Sequence, residues 1–125
     1  MSLFFLLPSR GTSPNLTLSV NDPTPSGTGS GLAPSGFVSS NTTTVSVTEF
    51  GTGSYTYQWT QTGAPADDGP FGPTQPTGAG TAWGSICFDN SVDTDEQWTC
   101  TVTDTGNGLT GSILVVVELV WTDLS

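Results

Sequence analysis

Apolar side chains in this chain return at every second position, as in Leu16-Thr-Leu18-Ser-Val20, Val45-Ser-Val47 and Tyr55-Thr-Tyr57-Gln-Trp59. The same spacing recurs in Trp98-Thr-Cys100-Thr-Val102 and from Ile113 to Trp121. Successive side chains of a strand point to opposite faces, so this period marks strands buried on one side. No window joins a three-to-four-residue period to helix capping residues. The 16 Gly and 9 Pro between the alternating segments supply turns. The expected fold class is all-β.

Charge then removes most chemistry. The chain has one basic residue, Arg10, against eleven acidic ones, a formal charge of −10, and no His. Without imidazole there is no Ser-His-Asp or Cys-His pair and no His-bearing zinc site. A single cation does not hold a phosphate backbone or an anionic lipid surface, so neither nucleic acid nor membrane is an expected partner. No catalytic residue, cofactor or metal site is expected. The acidity reads as a solubility property. Asp89, Asp93, Asp95 and Glu96 offer hard oxygen ligands for Ca²⁺, but their spacing is unlike an EF-hand loop, and a solvated connection is the expectation. Adjacent carboxylates such as Asp67-Asp68 do not face each other across a cleft as a glycosidase requires. Tyr55, Tyr57, Trp59, Trp83 and Trp98 could stack on a sugar, although alternation along a strand favours core packing. Cys87 and Cys100 are too few for a disulfide scaffold. They are expected to be reduced and buried, with one bridge as the alternative.

Along the chain, Met1-Ser-Leu3-Phe4-Phe5-Leu6-Leu7-Pro8 resembles the start of a secretory leader. Its apolar run of about five residues falls short of the 7–15 of a leader. The run therefore reads as an apolar arm, which must fold back on its own domain or dock on a neighbour; docking is favoured. Residues 8–14 read as a connector and Leu16–Val20 as a short strand. Asn21 to Gly36 holds Asn, Asp, Pro, Ser, Gly and Thr with little else, and reads as a long loop or linker. The division expected is an arm and linker over 1–36 and a domain over 37–125. Within the domain, strands are expected over 42–50, from Tyr55, over 83–88, from Trp98 to Val102 and over 112–122. Residues 63–80 and 89–96 read as connections. The core candidates are Val45, Val47, Tyr55, Tyr57, Trp59, Trp98, Cys100 and Val102. The last strand is apolar on both faces, with Leu114, Val116 and Val120 opposite the Ile113–Trp121 face. A strand covered on one side would alternate, so the second face implies a second cover, either the N-terminal arm or another subunit, and contact with another subunit is the expectation. The interface candidates are Leu3, Phe4, Phe5, Leu6, Leu7, Leu114, Val116 and Val120, in a homo-oligomer or a larger assembly.

Several short strands separated by turns suggest a sandwich. Gly51-Thr-Gly-Ser-Tyr-Thr-Tyr-Gln-Trp59, then Trp98-Thr-Cys-Thr-Val-Thr-Asp104 with its Gly-Asn-Gly turn, resemble strands C and F and the F–G turn of an immunoglobulin-like domain. The resemblance implies a buried Trp59 beside Cys100. Val45 or Val47 stands where the second cysteine would be, and Trp98 stands at the corner Tyr. Together with Thr43-Thr-Val-Ser-Val-Thr48, these segments are similar to small immunoglobulin-like structural proteins of tailed bacteriophages, and also to repeats of bacterial surface adhesins. One copy without a sorting tail fits a virion component better. The resemblance implies an immunoglobulin-like β-sandwich with an extended apolar N-terminal arm and long loops. It further implies a non-enzymatic virion protein, a capsid decoration or cement protein or else a tail component. Its partners would be major capsid or tail subunits. A carbohydrate- or receptor-binding module is the alternative.

Overall fold

The computed structural model describes residues 15–32, 38–63, 72–84 and 91–125. They form seven strands: β1 (Thr17–Val20), β2 (Ser26–Gly31), β3 (Thr43–Glu49), β4 (Tyr55–Gly63), β5 (Gly80–Thr81), β6 (Val92–Asp104) and β7 (Thr110–Asp123). One sheet has the order β1-β3-β5 and the other β2-β7-β6-β4. All pairings are antiparallel except that of β2 with β7, which is parallel. The described residues are all-β, two sheets packed together as a β-sandwich.

The alternating residues meet between the sheets. Leu16, Val38 and Val45 join Trp59, Trp98, Cys100, Val102, Val115, Val117 and Leu119 in one buried cluster, with Leu18, Val47, Tyr55 and Tyr57 packed against it. Burial of each large aliphatic side chain contributes roughly 1.5–3 kcal/mol. Trp83 is fully buried at the centre of an aromatic row. Its ring meets Trp59 edge-on at 5.2 Å and Trp98 at 6.0 Å. The indole N–H of Trp59 donates to the Gly78 carbonyl at 2.8 Å, and that of Trp98 to Glu96 Oε1 at 2.9 Å. Glu96 is therefore a buried carboxylate held by an indole.

The longest ladder is the β6–β7 hairpin, running from Thr103 opposite Thr110 to Val92 opposite Trp121. Its turn closes with Gly108 at φ 78°, a left-handed conformation that glycine adopts without strain.

Three expectations are corrected. Residues 21–36 are not simply linker, because Ser26–Gly31 form β2 along the edge of β7. Asn21 and Asp22 make the crossing from one sheet to the other. The Asn21 side chain accepts the Thr44 N–H at 2.7 Å, and the Asp22 carbonyl accepts the Thr43 hydroxyl. β1 and β2 thus belong to the same sandwich as the later strands. Residues 92–96 are not connection but the first part of β6, since the hairpin register carries them opposite Val117–Trp121. The strand expected over 83–88 is displaced: β5 is Gly80–Thr81, and Trp83 and Gly84 make only isolated bridges to Pro73 and Ser39. Residues 85–88 lie outside the described set.

Candidate functional site

The larger sheet turns its apolar side inward and leaves a second face, and that face carries the interface candidates. Because β7 alternates, Ile113, Val115, Val117, Leu119 and Trp121 pack inward while Leu114, Val116, Glu118 and Val120 point the other way. Leu114 is 49 % exposed; Val116 and Val120 are half-buried. Across β6 their neighbours are Thr99 opposite Leu114, Gln97 opposite Val116, Asp95 opposite Glu118 and Asp93 opposite Val120. On the other flank, β2 sets Ser26 opposite Glu118 and Thr28 opposite Val120. The face is an apolar row along β7 between hydroxyl- and amide-bearing side chains, with three carboxylates at one end. The remaining interface candidates, Leu3, Phe4, Phe5, Leu6 and Leu7, lie outside the described residues.

Of the core candidates, Val45, Trp59, Trp98, Cys100 and Val102 are buried, and Val47, Tyr55 and Tyr57 are half-buried against them. Cys100 is a free buried thiol, pushed up to about 11 by burial against a small opposing effect of the Gln58 backbone. At neutral pH it is protonated and a poor nucleophile. Cys87 is outside the described residues.

A shallow groove of about 450 Å³ lies beside β4, lined by Tyr55, Tyr57, Gln58, Thr77, Thr101 and Thr103. It offers hydroxyls and an amide, and no charged side chain lines it among the described residues. Burial, with smaller contributions from Tyr55 and Cys100, raises the Tyr57 phenol above its ordinary value, so it stays protonated. Such a surface suits polar groups, and its described lining holds no acid or base that exchanges a proton near neutrality.

The described carboxylates weighed as Ca²⁺ ligands do not all share one face. Asp93 and Asp95 are exposed on the outer face while Glu96, one residue on, is buried on the inner one, and Asp89 is outside the described set. Strand alternation sets Glu96 on the face opposite Asp93 and Asp95.

Asp104 is a site that sequence reasoning placed only in a turn. It is buried. Its carboxylate accepts the Thr52 hydroxyl at 2.6 Å, the Thr52 N–H, the Gly106 N–H at 2.7 Å and the Asn107 N–H at 3.1 Å. Burial pushes the carboxyl up, but the hydrogen bonds from the Thr52 side chain and backbone, Gly106 and Asn107 outweigh it and hold the group below its ordinary range. The carboxylate ties the β3–β4 turn to the β6–β7 turn, a structural role. The carboxylates opposite one another on β6 and β7 were also missed. Their signal was present: once the turn sets Thr103 opposite Thr110, each step back along β6 matches one forward along β7, and Asp95 falls opposite Glu118.

No protein-family model matches the chain, and no curated protein matches it.

Proposed function

We propose that the chain is a non-enzymatic structural component of a tailed-bacteriophage virion. In this reading an immunoglobulin-like sandwich sits on the particle as a capsid decoration or cement protein, or else in the tail, and docks on neighbouring capsid or tail subunits. The virion part rests on the resemblance of Gly51–Trp59 and Trp98–Asp104, and the observation that carries the docking part is the outer face of the larger sheet. Leu114, Val116 and Val120 form an apolar row on the side of β7 that faces away from the core. A strand whose both sides are apolar has a second surface to cover.

Two features support the immunoglobulin-like part. Trp59 and Cys100 are cross-strand partners in the middle of the larger sheet, with Val45 buried in the sheet opposite. The last two long strands form a hairpin beside β4, the arrangement of the C, F and G strands of such domains. The carbohydrate-binding alternative is weaker: Trp59, Trp83 and Trp98 are buried in the core, which leaves half-buried Tyr55 and Tyr57 at the groove as its aromatic contacts.

The test is reconstitution. Particles assembled without this chain are mixed with the purified protein, and bound copies are counted by mass spectrometry. The parent is expected to bind at a fixed stoichiometry. Leu114→Ser combined with Val116→Ser is expected to remain folded by circular dichroism and to leave the particles bare. Normal incorporation of this variant removes the face from consideration, and a parent that does not bind removes the virion role.

A further inference from the structure

The outer face of the larger sheet is not only apolar. Asp95 and Glu118 are exposed and directly opposite each other on β6 and β7, and Asp93 is opposite Val120 one step further along the same face. Directly paired positions set their Cβ atoms about 5 Å apart, and like charges directly opposite each other destabilise a sheet. The free protein therefore sets two acidic residues opposite each other beside the very row of Leu114, Val116 and Val120 that invites contact. A surface bearing Lys or Arg relieves that repulsion when it closes over the row.

Composition argues against several external occupants. A second copy brings its own formal charge of −10 and one Arg, so stacking like faces sets carboxylate against carboxylate. Anionic lipid and nucleic acid meet the same repulsion. A neutral glycan has no charge to pair with the carboxylates and uses them only as acceptors for its hydroxyls. Resting on the docking role proposed above, we infer that this face binds a protein surface with Lys or Arg side chains around an apolar depression. Leu114, Val116 and Val120 enter the depression, and Asp93, Asp95 and Glu118 pair with the cations. The contact is heterologous, not a homodimer.

The experiment measures binding of the full chain to particles assembled without it, between about 0.05 and 0.5 M NaCl, a range over which charge screening changes strongly. Sedimentation velocity of the chain alone accompanies it. Asp95→Asn combined with Glu118→Gln keeps shape and removes the repulsive pair, so folding is not at risk. The expected result is roughly tenfold weaker binding at low salt, with a flatter salt dependence than the parent. Leu114→Ser weakens binding but keeps the parent's salt slope. Glu49→Gln, an exposed charge change on β3 in the other sheet, leaves binding unchanged. If the Asp95→Asn/Glu118→Gln chain binds as tightly and with the same slope as the parent, the basic-surface inference is wrong while the docking role stands. A parent that sediments as a dimer dissociated by Leu114→Ser makes the occupant a second copy and overturns it. A parent that binds no particles at any salt overturns the docking role and this inference with it.

Discussion

Asp104 reaches across the chain to Thr52 as well as to its own turn, and thereby fixes the end of the sandwich where two turns meet. Its carboxyl is held below the ordinary carboxylate value, so the ionised form is the stabilising one. The sign follows. The contribution is complete above the unfolded value of about 3.9 and is lost as pH falls through the lower folded value. Urea denaturation from pH 7 down to about pH 2.5 is expected to show the parent losing stability only below about pH 4. Asp104→Asn is expected to be less stable at pH 7, with a shallower acid limb because that titration is gone. Parallel acid limbs would show that Asp104 does not drive the loss. The sequence showed Asp104 followed by Gly and Asn, and so a turn. The bond to Thr52 was invisible because it joins residues far apart in the chain.

At the scale of elements, β2 is the instructive strand. It reads Ser-Gly-Thr-Gly-Ser-Gly and contains no apolar side chain, so periodicity gave no sign of it. Its inward positions are Gly27, Gly29 and Gly31, opposite Leu119, Trp121 and Asp123 of β7. A Cβ on Gly27 would lie 2.1 Å from the Ser39 carbonyl oxygen, and one on Gly31 would lie 2.9 Å from the Trp121 ring. At Gly27 and Gly31 neighbouring atoms occupy the space that a side chain would need. Gly27→Val is expected to lower stability by about 1–3 kcal/mol, as overpacking does, and to speed amide exchange over residues 118–123. Ser30→Val, at an exposed position of the same strand, is expected to stay within about 0.5 kcal/mol. Equal effects at the two positions would mean that close approach is not what limits β2. The alternating strands β1, β3, β4, β6 and β7 were legible because each carries its own apolar face. The early start of β6 at Val92 was not, because a polar stretch becomes strand only through its partner.

The whole molecule is held by what the two sheets enclose. Trp83 stands between Trp59 and Trp98, and its indole nitrogen has no hydrogen-bond partner among the described residues. Trp83→Ala is expected to cost about 3–5 kcal/mol, a large part of the ~5–15 kcal/mol by which domains are stable. Trp83→Phe keeps a ring in the row and removes the unpartnered N–H, so its cost is expected to be under about 2 kcal/mol by urea denaturation. If the two variants are equally damaging, ring contact is not what Trp83 supplies. The sequence by itself determined the strand class, the inward residues of the alternating strands and the two-faced character of β7. These are local properties, set by side-chain period and turn chemistry. Only the tertiary structure decided that a glycine-rich stretch is a strand, that Asp104 bridges two turns, and that Asp95 lies against Glu118 beside Leu114, Val116 and Val120. Each depends on which distant segment comes to lie alongside, and that is settled by packing and register, which no single stretch of chain contains.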